Sequence, residues 1–219
     1  NKGLHFPSIL NTDTIKKIIY FTRNFPETKH MTKKLKQLIS QFLLIIRTLS
    51  ILESFQLYRS AISIKTLITK RLENGEIFLQ FDDAINEEKY LIDMNYWVVE
   101  NLFRFYELGL QNNSNVIDIL DISTGMGYFP FIANVYGKSA ISTDTKNELY
   151  DKVTQALNVK KVDLRINGFQ AISPSFNGQK FDYITSFMIC FNGHKSPNLW
   201  SIQEWDYFLR DLSENLLTP

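Results

Sequence analysis

Only one cysteine, Cys190, occurs in the 219 residues, which excludes an internal disulfide framework and gives no zinc cluster. That usage fits a reducing compartment, and cytoplasm is the expected location. Long hydrophobic runs are missing too. The most apolar window, Leu38 to Leu57, is broken by Gln41, Arg47, Ser50, Glu53 and Gln56, too polar for a transmembrane segment. The chain opens at Asn1 with no initiator methionine and no signal-peptide pattern, and it reads as a fragment. Acid is scarce at the start. Residues 1–72 carry thirteen lysines and arginines against Asp13, Glu27 and Glu53, a net +10, whereas the remainder carries eleven against twenty acids, a net −9. The near-neutral total therefore conceals a polarised chain. No aromatic residues interleave with the lysines of Lys29 to Lys36, so solvated helix faces or packing against the acidic part explain the basic half better than nucleic acid or a membrane surface does.

Helical periodicity fills this basic half. Thr12 or Asp13 caps a helix over Thr14 to Phe25 that Pro26 ends. Thr32 caps a longer one, Lys33 to about Leu57, in which Leu35, Leu38, Ile39, Phe42, Ile45, Ile46, Leu49, Leu52 and Phe55 form a buried face. Further helices are predicted over Ser60 to Glu73, before an Asn74-Gly75 turn, and over Glu87 to Leu108, closed by Gly109. The polar loop Gln111 to Asn115 marks the boundary between a helical region, 1–112, and an α/β domain, 113–219.

In the second region the pattern changes. Val116 to Ile122 crowds aliphatic residues around Asp118 and Asp121, as a mostly buried parallel strand requires. Gly125 and Gly127 follow, where the main chain can turn sharply and a ligand can approach it closely. Phe129 to Tyr136 then reads as a helix with Pro130 in its first turn. A second strand, Ser139 to Thr143, ends at Asp144, an acid placed to hold both hydroxyls of a ribose. A third strand is predicted over Val162 to Ile166. The dinucleotide pattern G-x-G-x-x-G fails at its third glycine, which is Pro130, and this counts against NAD or FAD.

The run Asp121-Ile-Ser-Thr-Gly-Met-Gly127 resembles the acid-x-G-x-G-x-G loop of class I S-adenosylmethionine-dependent methyltransferases, with Ser123 in place of the first glycine. Lys180 to Ser186, with Phe181-Asp182-Tyr183-Ile184, resembles that family's fourth strand, and Glu204 to Pro219 the helix and turn before its fifth. The resemblance covers about residues 113–219. It implies a Rossmann-like parallel sheet, truncated after the fourth strand and its helix, beneath the helical N-terminal region. The edge so left open would be covered by a second copy or another partner.

The same resemblance implies S-adenosyl-L-methionine as cofactor, bound by Asp121, Ser123, Gly125 and Gly127 near the methionine moiety and by Asp144 at the ribose. Asn167 is the candidate at the adenine, and Phe187 packs beside the ligand. The acceptor side falls after the fourth strand, where Asn192 can orient the acceptor and His194 has the pKa range of a general base. Trp97 and Tyr96, with Trp200 and Trp205, are candidates to wall a substrate pocket. No metal is implied. The Asp/Asn-Pro-Pro-Tyr and Pro-Cys segments of nucleic-acid methylating enzymes are missing, so the expected acceptor is a small or medium-sized molecule, methylated on O or N by direct displacement. A scaffold or nucleotide-binding protein that keeps the fold without turnover is the alternative.

Overall fold

The computed structural model describes residues 37, 40, 41, 44, 45, 48, 49, 51–75, 77, 89–187, 189 and 199–219. By compactness the chain divides into Asn1–Ser54 and Phe55–Pro219. In the first unit, Gln41 and Ile45 are buried helical positions one turn apart, and the backbone bends at Leu49. The helix predicted to run unbroken to Leu57 is therefore interrupted, and α1 (Ile51–Asn74) starts with a new phase. Its buried stripe is Leu57, Ala61, Ile64, Ile68 and Leu72. Leu52 and Phe55, expected on the buried face, are 68% and 61% exposed. The bend rotates them outward, because a hydrophobic stripe keeps its register only along a continuous helix.

The segment expected as one helix from Glu87 to Leu108 is two. Helix α2 (Lys89–Ile92) is separated by Asp93 from α3 (Met94–Glu107), and Gly109, left-handed at φ 68°, closes α3. Val98, Leu102 and Phe105 are buried along α3, as their spacing predicts. Phe105 meets Phe129 and Tyr136 edge-on or tilted, with ring centroids 6.4 and 4.9 Å apart.

Four parallel strands follow in the order β3-β2-β1-β4. They are β1 (Asp118–Ile122), β2 (Ser139–Asp144), β3 (Lys160–Asp163) and β4 (Tyr183–Ser186). Helix α4 (Tyr128–Val135) joins β1 to β2 and α5 (Glu148–Ala156) joins β2 to β3, the βαβ connection parallel neighbours need. Central β1 is buried from Ile119 to Ile122, so its side chains are buried on both faces and its apolar residues, interrupted only by Asp121, do not alternate with polar ones. Edge strand β3 begins two residues before its predicted start and ends at Asp163 rather than Ile166. Two lysines open it; Lys161 fits there because Asp151 and Asp163 both pair with its ammonium.

Side chains alternate across the sheet. Leu120 and Ile122 point into a cluster with Ile141, Ile172, Phe176, Phe181, Phe208 and Leu212, which seats α6 (Ile202–Arg210) and the π-helical turn Asp211–Leu216. Ile119 and Asp121 therefore take the opposite face. Asp211 ties this layer together: its carboxylate accepts from the Ile172 N–H at 2.6 Å, the Ser173 N–H at 3.0 Å, the Ser173 hydroxyl and Asn215 Nδ2. Burial would raise its pKa, but those bonds outweigh it and hold the carboxyl below the usual range. Beyond the turn, Leu217 makes a parallel bridge to Phe181, with Phe181 N–H to Leu216 O at 2.8 Å and Thr218 N–H to Phe181 O at 2.9 Å.

Candidate cofactor cleft

The loop after β1 is shaped by three left-handed residues at alternate positions: Ser123 at φ 60°, Gly125 at 56° and Gly127 at 73°. Glycine adopts that conformation freely, whereas serine does so at a cost of about 1 kcal/mol. Serine in the first place is thus a strained substitute. Gly127 also has a packing reason, since a Cβ there would stand 2.9 Å from Thr154 Cγ2. At Gly125 nothing lies within 4 Å of an added Cβ.

Most of the loop's amides are already donated within the fold. Thr124 N–H reaches Thr143 O at 3.0 Å, Gly125 N–H reaches Asp144 Oδ2 at 2.7 Å, and Gly127 N–H reaches Thr124 O at 3.1 Å. Asp144 thus clamps the loop to the end of β2. Its Oδ1 accepts from the Thr145 N–H at 2.7 Å, and Oδ2 keeps an acceptor position open.

Asp121 is 3% exposed. Register explains its partner: Thr185 of β4 stands opposite it, and the Thr185 hydroxyl donates to Asp121 Oδ1 at 2.7 Å. Burial is the dominant influence on this carboxyl, pushing its pKa up to about 6 against the lowering effects of Thr185, Thr124 and the Arg104 charge. The Thr124 hydroxyl is near enough to act on that charge but misses hydrogen-bond geometry. It is a buried oxygen with no partner among the described residues.

These groups open onto a cleft with about 720 Å³ of empty space, solvent at its mouth included. One wall is Asp121, Ser123, Thr124, Gly125, Met126, Tyr128 and Asp144, with Tyr150 of α5 beside them. The other is helical: Tyr90 of α2 and Trp97, Asn101 and Arg104 of α3, met by Phe187 just past β4. Tyr128 donates its hydroxyl to Tyr90 O at 3.2 Å, joining the two walls, and burial raises the pKa of that phenol. The Arg104 guanidinium lies 4.6 Å over the Phe187 ring.

Of the residues singled out in the sequence, Asp121, Ser123, Gly125, Asp144 and Phe187 share this cleft. Gly127 caps α4 immediately behind it. Asn167 does not line it; its amide donates to Gln170 at 2.8 Å in an exposed loop. Trp97 lines the cleft, while Trp200 and Trp205 meet edge-to-face with ring centroids 5.2 Å apart, and both meet Phe208 of the opposite core the same way. Asn192 and His194 lie outside the described residues, as does Cys190. The helical wall was not legible as a site, because Tyr90, Asn101 and Arg104 belong to no motif and carry only the spacing of an amphipathic helix. Among the described residues no group of three His, Cys, Asp or Glu is placed to hold a metal ion, and no helix is long and apolar enough to cross a membrane.

Strand order, crossover helices and a glycine loop at the carboxyl edge of the sheet define a Rossmann-like α/β fold with a cleft at that edge. Among solved structures, the crystal structure of a point mutant of MtNAS is similar to this chain, with 16% identity, a TM-score of 0.32, and 80% of this chain and 71% of that one covered. No protein-family model and no curated protein matches the chain.

Proposed function

We propose that the domain 113–219, completed by α2 and α3, binds S-adenosylmethionine, and that the chain transfers a methyl group to a small or medium-sized acceptor in the cytoplasm. The observation that carries this reading is the polarity of the cleft. Two carboxylates, Asp121 and Asp144, line it, and three of the loop's amides that would cradle a diphosphate are already bonded within the fold. Such a site favours a ligand with a cationic end and ribose hydroxyls over a dinucleotide diphosphate. The buried, partnerless Thr124 oxygen and the open main chain at Gly125 fit the same ligand.

S-adenosylmethionine, when bound, supplies a methyl group on a sulfonium, a good leaving group for direct displacement. The chain's own residues then have modest tasks. Asp121 meets the amino group, the open acceptor position of Asp144 takes a ribose hydroxyl, and Phe187 helps exclude water. Asn192 orients the acceptor, and a ring nitrogen of His194 takes the proton if the nucleophile is a hydroxyl. Calorimetric titration tests the donor: S-adenosylhomocysteine is expected to bind, with Asp144→Ala weakening it about tenfold or more, since a charged hydrogen bond is worth roughly 1.5–3 kcal/mol. Binding of NAD in its place would refute the reading.

A further inference from the structure

The cleft has a direction along the sheet edge. Asp144 ends β2, Asp121 lies in β1, and Phe187 follows β4, so strand order sets the Phe187 end farthest from the proposed ribose position. Arg104 stands at that end. It is the one cationic side chain among the described residues lining the cleft, and its side chain is only 14% exposed. Its close contacts are nevertheless loose, although its charge also acts on the buried Asp121 carboxyl. Glu100 Oε1 is 3.6 Å away, outside hydrogen-bond distance, and Asn101 Oδ1 is 3.3 Å away, whereas a charge-assisted pair closes to about 2.7–2.9 Å. The guanidinium is held in place all the same. Its face covers Phe187, and Asn101, anchored through Nδ2 to Trp97 O at 2.8 Å, fixes one edge. A planar cation with donors to spare, beside Trp97 and Tyr90, is arranged to receive a carboxylate attached to a flat apolar group.

Resting on the donor reading above, we propose that Arg104 selects anionic acceptors: the substrate carries a carboxylate that pairs with this guanidinium while its apolar part lies along the aromatic helical wall. The donor's own carboxylate shares this chemistry, so the test separates the two sources.

The probes are benzoate and its neutral isostere benzamide, titrated by calorimetry into the full chain with and without saturating S-adenosylhomocysteine. Benzoate is expected to bind at least tenfold more tightly than benzamide. Arg104→Met should abolish that preference, and Arg104→Lys should keep part of it. Equal binding of the two probes, or no binding of either, overturns the proposal. So does an Arg104→Met protein that loses S-adenosylhomocysteine affinity tenfold while holding 5′-methylthioadenosine, which lacks the amino-acid end, because Arg104 would then serve the donor. If wild type binds neither nucleoside, the donor reading fails instead, and the benzoate-to-benzamide ratio on the free chain still decides the role of Arg104. Circular dichroism of each variant confirms that it folds.

Discussion

Asp121→Asn should stabilise the free protein at neutral pH, and by an amount that depends on pH. The carboxyl is raised from 3.8 to about 6 because burial disfavours its charge. A group whose folded pKa lies above its unfolded value binds its proton more tightly in the native state, so its contribution to stability is fully present below about pH 4 and is lost as pH rises through about 6. Two units at 1.36 kcal/mol each correspond to about 3 kcal/mol. Asparagine imitates the protonated acid. Its Oδ1 still accepts from Thr185, and its Nδ2 gives the partnerless Thr124 hydroxyl a donor. The variant should therefore exceed wild type by about 3 kcal/mol at pH 8, about 6–12 °C in Tm for a chain of this size, with the gap closing towards pH 4. Urea denaturation of both proteins at half-unit pH steps, with m-values compared, measures it. A difference that does not change with pH, or an Asn variant less stable at pH 8, would refute the argument. The gain should come with weaker donor binding if Asp121 is kept acidic for a ligand's ammonium, the usual conflict between stability and function.

Donor affinity of the wild type should fall as pH drops through about 6, where Asp121 takes up its proton; titration at pH 5 and pH 7.5 checks this, and the Asn variant should lack the dependence. Ser123→Gly relieves the left-handed backbone and should raise stability by about 1 kcal/mol in chemical denaturation. Gly127→Ala adds both backbone strain and a 2.9 Å approach to Thr154, so it should cost about 2–3 kcal/mol, whereas Gly125→Ala, with open space around its Cβ, should cost about 1. Asp211→Ala leaves the N–H groups of Ile172 and Ser173 without their acceptor and should cost about 2–4 kcal/mol at pH 7; because the folded carboxyl is held low, that advantage should shrink as pH falls through the ordinary carboxylate range and below it.

Sequence alone determined the sheet and one wall of the cleft. Those features are local: an apolar run makes a buried strand, left-handed turns want glycine, and the acid ending the next strand must lie beside the loop because adjacent parallel strands share an edge. Asp121, Ser123, Gly125 and Asp144 were readable for that reason. Tertiary structure decided what periodicity cannot carry. A bend at Leu49 turned Leu52 and Phe55 outward, though their spacing matched a buried face. Asn167 was placed by analogy and stands apart from the cleft, because the segment after β3 folds by its own contacts. The second wall came entirely from packing: only with α3 packed on α4 does Arg104, one more basic residue in a helix, reach the cleft and lean on Phe187 eighty-three positions away.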